Sequence, residues 1–427
     1  MTYAEVIQKL QALGSFGMRL GLEKMQRVAE RLGSPHSRLQ FIHVAGTNGK
    51  GSTCAFLESI YRNAGLRVGL FTSPHLVHVG ERIQVQRIAL SLDDIVACYQ
   101  QVHSACEVLD ANDPLTFFEF CTAMALLHFK ETACDIVIWE TGLGGRLDAT
   151  NIVTPIASVI THIGLEHQQW LGNTHREIAT EKAGIIKTGV PVFTAVDHPE
   201  ALEVIRSKAH ASQSSLTEVG EEAATTGSRR WGHLRLVGPH QLRNAALAES
   251  TVRGLRARIP VSDDLITHSL REARWPGRFD VIQQGDETWV VDGAHNEDGV
   301  QALAATLRER FPGTPLCLVI GVLKDKNWQA MIETLLPLVS RVRLVPVQSD
   351  RSVTCDELIA RCRTVNPRMD CQAFSNLRAT ITDPAPERVK VITGSLYLVG
   401  QVYEEMGWIT DAGGRASERG LNEWRPG

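Results

Sequence analysis

The feature that most constrains the fold is a repeated alternation of short apolar runs with helical patterns, which starts near Leu39 and continues through most of the chain. Apolar strands separated by helices are typical of a parallel sheet covered by helices. We therefore predict an α/β fold. In the first part of the chain the predicted strands are 41–45, 67–71, 135–140, 156–161 and 191–195.

The alternation is interrupted at residues 275–278, Trp-Pro-Gly-Arg, and then resumes. The later predicted strands are 288–292, 315–322, 341–347 and 389–393. Before the interruption, residues 211–230 are rich in Ser, Thr, Gly and Glu and predict a surface loop, and a helix is expected over 241–258. A chain of 427 residues is long enough for two or three domains. We predict a larger domain over 1–276, built on a doubly wound, mostly parallel sheet, and a smaller α/β domain over 277–427 whose polar tail, 410–427, is expected to fray.

The charge balance argues against proteins that coat nucleic acid or membrane surfaces. The chain carries 44 Lys and Arg against 48 Asp and Glu, a formal net charge of -4, whereas such proteins concentrate basic charge. The nine cysteines are scattered and lack the two-residue spacing of zinc or redox motifs, which indicates reduced thiols in a cytoplasmic protein. Residues 1–20 mix charged and apolar side chains, so we expect neither a signal peptide nor a membrane span.

A glycine-rich turn follows the first predicted strand. The sequence GTNGK of residues 46–50 stands between that strand and a helix predicted over 54–64. Backbone N–H groups in such a turn, the helix dipole and a lysine together favour a phosphate. Val44 replaces the first glycine of the standard phosphate loop and Gly51 replaces its Ser or Thr, so a hydroxyl ligand for magnesium has to come from elsewhere. Glycine turns also simply join strands to helices, but this composition favours a nucleotide site.

Polar side chains follow three further predicted strands. Glu140 ends one strand and precedes the turn TGLGGR, Ser73 follows a second strand, and His167 follows a third. Because ligands gather at the carboxyl ends of strands in doubly wound sheets, we expect these side chains at the edge that holds the glycine turn. A carboxylate there can hold a hard cation that bridges phosphate oxygens. Taken alone, each residue is equally compatible with a solvated surface position; their convergence favours a site.

The smaller predicted domain adds two charged positions. Arg278 lies in the sequence Pro-Gly-Arg-Phe, and another strand ends in Asp292 and is followed by His295. A cation and a carboxylate suit nucleotide binding. A surface ion pair is an equally good interpretation of Arg278.

Together these motifs resemble the Mur ligase superfamily, and within it the folylpolyglutamate synthase and dihydrofolate synthase family. The resemblance extends over nearly the whole chain. Its most specific segments are AGTNGKGS at 45–52, SPHL at 73–76, ETGLGGRLDATN at 140–151, EKAGI at 181–185 and DGAHN at 292–296. The family's own loop has the Gly-Lys-Gly form, which accounts for both departures from the standard phosphate loop. By this resemblance the larger domain is a P-loop ATP-binding domain and the smaller one is a Rossmann-like ligase domain.

The resemblance also implies roles for single residues. It assigns ATP contacts to Thr47, Asn48, Gly49, Lys50, Asn244, Arg278 and Asp292, and magnesium ligands to Ser73, Glu140 and His167. Lys182 matches a lysine that the family carries as a carbamate, an anion able to bind a second magnesium ion; a solvated helix lysine is the alternative. Catalytic roles follow for Lys50, Lys182 and His295, the last in positioning glutamate or the acyl phosphate. The need for a monovalent cation stays open.

Two segments match those that bifunctional bacterial enzymes of the family use for dihydropteroate. They are Thr116, Phe117, Phe118 and Glu119, and Leu147, Asp148 and Ala149, with Met-Arg-Leu at 18–20 as a weaker candidate. Aromatic faces can stack on a pterin, and a carboxylate can accept hydrogen bonds from its amino and ring N–H groups. Phe117 and Phe118 as plain core residues are the competing interpretation.

The implied activity is ATP-dependent amide formation. The substrate carboxylate attacks the γ-phosphate of ATP to give an acyl phosphate, from which the amine of L-glutamate displaces phosphate. The expected acceptors are dihydropteroate and tetrahydrofolate, and the expected protein is a cytoplasmic monomer that binds neither nucleic acid nor membranes.

Three alternatives stay open. The first is a ligase that only polyglutamylates folates. The second is a ligase for a nucleotide-linked cell-wall precursor, which the short segment before the glycine turn disfavours. The third is a catalytically silent nucleotide-binding module, which the presence of Lys50, Glu140, His167 and Lys182 disfavours.

Overall fold

The structure, a computed structural model, describes residues 1–14, 21–110 and 112–408. The described chain separates into two compact units. The first comprises residues of Met1–Arg235 and Gln241–Arg274, and the second comprises Leu236–His240 and the chain from Trp275 onward. Each unit holds one mostly parallel sheet with helices, so the predicted α/β class is confirmed. Residues 18–20 and the tail 410–427 lie outside the described residues.

The first unit is built on an eight-stranded sheet. Its strands are β1 (Phe41–Ala45), β2 (Val68–Phe71), β3 (Ile83–Val85), β4 (Ile88–Ala89), β5 (Ile136–Glu140), β6 (Ala157–Ile160), β7 (Val192–Thr194) and β8 (Leu216–Glu218). The spatial order is β4-β3-β2-β5-β1-β6-β7-β8. Neighbours are parallel except in the β2–β3 and β3–β4 pairs. Because β1 lies between β5 and β6 in parallel register, the carboxyl ends of these three strands meet at one edge.

Helices pack around this sheet. They are α1 (Tyr3–Gly14), α2 (Glu23–Arg31), α3 (Lys50–Asn63), α4 (Leu92–Ala105), α5 (Phe117–Glu131), α6 (Gln168–Leu171), α7 (His175–Lys182), α8 (Pro199–Ala211), α9 (Glu221–Trp231), α10 (Pro239–Gly254) and α11 (Asp263–Glu272). One core centres on Trp139, whose ring lies 5.4 Å from that of Phe41 and 4.6 Å from that of Phe71. A second core joins α7 and α8 to the sheet. The described helices include none long and apolar enough to cross a membrane.

The second unit has a six-stranded sheet. Its strands are β9 (Asp280–Gln284), β10 (Glu287–Val291), β11 (Leu316–Ile320), β12 (Arg341–Leu344), β13 (Asp370–Ala373) and β14 (Val389–Thr393), and its helices are α12 (Glu297–Arg310), α13 (Trp328–Leu335), α14 (Cys355–Val365), α15 (Leu377–Thr382) and α16 (Leu396–Glu405). The order is β13-β12-β11-β14-β10-β9, and only the β10–β9 pair is antiparallel. Residues 236–240 join this unit; Val237 packs against its core.

Most of residues 211–230 are exposed, as predicted for a surface segment, but the segment is not an irregular loop. The segment forms β8 and α9, and α9 is anchored by Trp231, a fully buried side chain at its end. The Trp231 indole packs so closely on Gly227 that a Cβ there would lie 2.3 Å from the ring. Gly227 leaves room for the Trp231 ring to pack against α9. Small residues, which are frequent in loops, here allow close packing within a helix.

Candidate active site

Hydrogen bonds to the loop after β6 fix the glycine turn that follows β1. Thr47 donates its backbone N–H to His162 O over 2.6 Å, and its hydroxyl bonds with Gly164 O (3.1 Å) and Gly164 N–H (3.0 Å). The Thr161 hydroxyl donates to Asn48 O over 2.7 Å. A Cβ on Gly46, whose φ is 154°, would lie 1.9 Å from that hydroxyl oxygen. The approach of Thr161 therefore requires glycine at position 46.

Gly49 turns the chain into α3 with a left-handed φ of 87°. Helix α3 therefore begins at Lys50, four residues before the predicted start. The first N–H groups of a helix have no acceptor within the helix, so they and the helix dipole favour an anion at this place. A Cβ on Gly49 would lie 2.5 Å from Asn244 Oδ1, which puts Asn244 beside the loop as the sequence predicts for an ATP-binding residue.

A hydrogen-bonded chain fixes the Asn244 amide. Asn244 Nδ2 donates to Gln241 Oε1 over 3.0 Å, and Gln241 Nε2 donates to the Ser52 hydroxyl over 3.2 Å. Gln241 is 1% exposed and lies one helical turn before Asn244 on α10. Gln241 and Thr161 were not among the predicted site residues. The signal for Gln241 was its spacing of three residues from Asn244, which places both on one helix face.

Two lysines meet at the carbonyl oxygen of Gly46. Lys50 Nζ lies 3.1 Å from Gly46 O and 3.2 Å from Thr47 O. Lys182 Nζ, at the end of α7, lies 2.8 Å from Gly46 O. Lys182 is buried, with 4% exposure, and burial together with the charge of Lys50 lowers its pKa to about 7. The structure thus excludes the solvated helix lysine for Lys182.

The predicted magnesium ligands lie at the ends of their strands. Glu140 is 3% exposed at the end of β5, and its Oε2 accepts the backbone N–H of Ser73 over 3.1 Å. His167 is half-buried, with a left-handed φ of 54°, and caps the short helix α6. In the described part of the chain no three His, Cys, Asp or Glu side chains form a metal-binding cluster. The backbone of Ser73 and the carboxylate of Glu140 are brought together. A carboxylate suits a hard cation such as Mg²⁺, and a magnesium ion held there would need further ligands.

The first predicted substrate segment begins α5. Thr116 and Glu119 form a capping box, with Thr116 N–H donating to Glu119 Oε2 over 2.7 Å. Burial raises the pKa of Glu119. Phe117 is buried under the Arg82 guanidinium, 5.1 Å from its ring centre, as expected of a core residue. Phe118 is half-exposed and packs on Gly142, where a Cβ would lie 2.5 Å from the ring.

The second predicted substrate segment is anchored by Asp148. Its carboxylate accepts Leu143 N–H (2.7 Å) and Thr150 N–H (3.0 Å) and caps the 3₁₀ turn Ala149–Ile152. Burial raises the pKa of Asp148, against these hydrogen bonds. Leu147 is half-exposed and Ala149 is buried. Phe118 packs on Gly142, and Asp148 accepts the N–H of Leu143, so both segments contact the same turn.

In the second unit, Asp292 directly follows β10 and is buried. Its carboxylate accepts Ala294 N–H over 2.8 Å and Phe279 N–H over 2.9 Å. Burial raises its pKa, and the nearby Arg278 opposes that rise. His295 Nδ1 lies 2.8 Å from Gly293 O, so Nδ1 carries the proton, because a carbonyl oxygen only accepts.

Two family models match the chain. The Mur ligase middle domain matches residues 44–251, which include the glycine turn and both lysines, and the Mur ligase glutamate ligase domain matches residues 277–396.

Several characterised relatives are similar over nearly their full length. The chain is 38% identical to the dihydrofolate synthase/folylpolyglutamate synthase of Bacillus subtilis over 92% of this chain and 96% of the relative. It is 33% identical to the protein of the same name from Escherichia coli, over 94% of each.

Solved structures agree with these relatives. Folylpolyglutamate synthase from Thermotoga maritima superposes with a TM-score of 0.82 at 32% identity, covering 98% of this chain and 99% of the other. Escherichia coli FolC in complex with DHPP and ADP gives a TM-score of 0.83 at 30% identity, covering 96% and 99%.

Proposed function

Since this chain belongs to the dihydrofolate synthase and folylpolyglutamate synthase family of Mur ligases and is an ATP-dependent ligase, we propose that it joins L-glutamate to dihydropteroate and then to tetrahydrofolate. The observation that carries this proposal is the convergence of the Lys50 and Lys182 amino groups on Gly46 O, at the start of the glycine turn. Two amino groups beside a helix amino terminus suit a site that transfers a phosphoryl group.

ATP is proposed to bind through the turn. Thr47, Asn48 and Gly49 would hold its phosphates, and Lys50 would exchange its two backbone carbonyls for phosphate oxygens. Asn244 supports the turn from α10. Arg278 and Asp292 are proposed to bind ATP on the ground of the family resemblance.

Magnesium is proposed to bind Ser73, Glu140 and His167. The contact between Ser73 N–H and Glu140 Oε2 supports this set, since it brings a hydroxyl-bearing residue to a buried carboxylate. Bound there, magnesium would neutralise negative charge on the ATP phosphates.

Lys182 is proposed to carry a carbamate. A neutral amine is the form that attacks carbon dioxide, and a pKa of about 7 leaves much of Lys182 neutral near neutral pH. The new N–C bond forms as the nitrogen loses a proton, and the product is an anion. One N–H remains on the carbamate nitrogen, so the bond to Gly46 O can persist. The anion would be a ligand for a second magnesium ion.

The chemistry follows from these positions. An oxygen of the substrate carboxylate attacks the γ-phosphorus, the bond to ADP breaks, and an acyl phosphate forms. The glutamate amine then attacks the acyl carbon, loses a proton and expels phosphate. Lys50 stabilises negative charge on the transferring group, and loss of one such contact is expected to lower turnover about 100-fold or more. His295, with its ring fixed on Gly293 O, is proposed to position glutamate or the acyl phosphate.

The pterin is proposed to contact both predicted segments. Phe118 and Leu147 are their half-exposed members and would touch the ligand directly. Thr116, Phe117, Glu119, Asp148 and Ala149, which are buried, would hold the segments in shape and complete the binding surface.

Glutamate-dependent ADP release tests this function. The purified protein is assayed with magnesium and bicarbonate, with dihydropteroate, tetrahydrofolate or no acceptor. We expect turnover with both acceptors, and loss of turnover in Lys50→Met but not in Lys208→Ala, which removes an exposed lysine of α8. Turnover with tetrahydrofolate alone would indicate polyglutamylation only. Binding of ATP with no turnover would identify a silent nucleotide-binding module and contradict the proposal.

We also propose that the first unit is the ATP-binding domain and the second the ligase domain, and that the protein acts as a cytoplasmic monomer on small molecules only. Light scattering of the purified protein checks the monomer. Omitting potassium from the assay checks whether a monovalent cation is needed.

A further inference from the structure

Arg278 stands between two residues with left-handed backbone. Gly277 has a φ of 73° and Phe279 a φ of 52°. A left-handed conformation is unfavourable for a non-glycine residue, so the surroundings must hold Phe279 in place. The carboxylate of Asp292 does so by accepting Phe279 N–H over 2.9 Å.

Gly277 is held on both sides of its backbone. Its N–H lies 2.8 Å from Asp280 Oδ2 and 2.9 Å from the Tyr403 hydroxyl oxygen, and that hydroxyl donates to Asp280 Oδ2. Its carbonyl accepts Gly293 N–H over 2.8 Å. The peptide before Arg278 is therefore fixed by a carboxylate, a phenol and the loop after β10.

Asp280 and Tyr403 are both largely withdrawn from water. Tyr403, on α16, is 4% exposed. Burial raises the pKa of Asp280 to about 6, and the hydrogen bond from Tyr403 opposes that rise. Replacing both partners of a buried hydrogen bond by apolar groups of the same shape can be nearly neutral for stability, so the fold alone does not require this pair, whereas the Gly277 N–H contacts both of its members.

The Arg278 guanidinium forms no direct bond within the described part of the chain, although the Asp280 and Asp292 carboxylates lie near enough to interact with its charge. With the described residues of the chain, the Arg278 side chain forms no hydrogen bond or ion pair, although Nη1 approaches Gly293 so closely that a Cβ there would lie 2.7 Å away. Its backbone neighbours are thus fixed while its five donors are left for a ligand. This arrangement argues against the surface ion pair that the sequence also allowed.

We propose that Asp280 and Tyr403 are positioning residues that set the direction of Arg278 for ATP. The inference rests on the proposed ATP contact of Arg278. We do not expect either residue to touch the nucleotide. Both contact the Gly277 N–H and thereby fix the backbone that leads into Arg278.

The test compares Tyr403→Phe, Asp280→Ala, Asp280→Asn and Arg278→Ala, with Tyr61→Phe as the control for loss of a buried hydroxyl that has no hydrogen-bond partner in the described chain. The measurements are KM for ATP, KM for glutamate, kcat, Kd for ADP by calorimetry, and Tm. Tyr403→Phe keeps the ring and its packing, so it removes only the hydroxyl.

We expect Tyr403→Phe and Asp280→Ala to raise KM for ATP and Kd for ADP about tenfold, as loss of a charge-assisted contact does, with KM for glutamate and Tm little changed. Asp280→Asn retains an acceptor for Gly277 N–H and should largely rescue binding. The Tyr403→Phe/Arg278→Ala double variant should bind ADP as weakly as Arg278→Ala alone, because Tyr403 affects nucleotide binding only through Arg278.

The outcomes separate the two claims. If Arg278→Ala leaves ADP binding unchanged, the proposed ATP contact is wrong and the positioning role falls with it. If Arg278→Ala weakens binding but Tyr403→Phe and Asp280→Ala match Tyr61→Phe, only the positioning role is wrong. A fall in Tm with unchanged ADP affinity of the folded fraction would also overturn it, since that is the behaviour of a purely structural contact.

Discussion

Lys182 is an amine held where water cannot solvate its charge. Its folded-state pKa of about 7 lies below the ordinary lysine value of 10.5, so the folded chain binds fewer protons than the unfolded chain between these values. Linkage then makes the free energy of unfolding rise with pH across that window.

This gives a prediction in carbon dioxide-free buffer. The free energy of unfolding of the wild type, minus that of Lys182→Met, should increase by about 2 kcal/mol from pH 7 to pH 9. Urea titrations at the two pH values measure it, with Lys208→Ala as the control. A difference that does not change with pH would mean that Lys182 keeps its ordinary pKa.

With labelled bicarbonate, a carbamate signal should appear in the wild type and not in Lys182→Met.

The positions of single site residues could be predicted from the sequence better than the burial and the contacts of their side chains. Glu140 and Ser73 lie at the predicted strand ends and touch. The burial of Lys182 could not be predicted, because it depends on groups that are distant in sequence, such as Gly46. The capping role of Glu119 was predictable, because Thr116 and Glu119 have the spacing of a capping box. Phe117 and Phe118 needed the structure to be told apart, since only burial separates them.

At the scale of elements, α3 carries a matched pair of glycines. Gly49 precedes the helix and Gly65 follows it, and both have a φ of 87°. A Cβ on Gly49 would lie 2.5 Å from Asn244 Oδ1, whereas nothing lies within 4 Å of the corresponding point on Gly65.

Alanine at each position should therefore have different effects. Gly65→Ala should destabilise the protein by about 1 kcal/mol from backbone strain alone and leave KM for ATP unchanged. Gly49→Ala should destabilise it further and raise KM for ATP, since Asn244 or the loop must move. Thermal unfolding and steady-state kinetics measure both. Equal effects of the two substitutions would show that Asn244 does not restrict position 49.

Elements with two buried faces were predictable and partly exposed ones were not. Every residue of β1, β5, β11 and β14 is buried, so these strands are mainly apolar, and β11 is apolar throughout. Strands β4, β9 and β13 lie at or near sheet edges and are partly exposed, and they lack such a run. Helix α9 was missed because its apolar contact is concentrated in Trp231.

At the scale of the whole molecule, the predicted division near Pro276 lies beside the observed passage from one unit to the other at Arg274 and Trp275. The prediction did not include the earlier passages at residues 235–236 and 240–241. Residues 236–240 carry a Gly-Pro turn signal, but their sequence does not indicate which unit they belong to. Their place depends on Val237 packing in the second core and on Gly238, where a Cβ would lie 2.6 Å from Thr306 Oγ1.

Residues 236–240 determine where this protein can be joined to a relative to make a stable chimera. A chimera joined once, at residues 274–275, leaves residues 236–240 from one parent against a core from the other, so we expect a lower Tm than in a chimera that also exchanges 236–240. Thermal unfolding of the two chimeras compares them directly, and equal Tm values would show that the segment contributes nothing. If the chimera that also exchanges 236–240 is the more stable, the parts that can be exchanged between relatives are defined by the unit in which residues pack and not by their order along the gene.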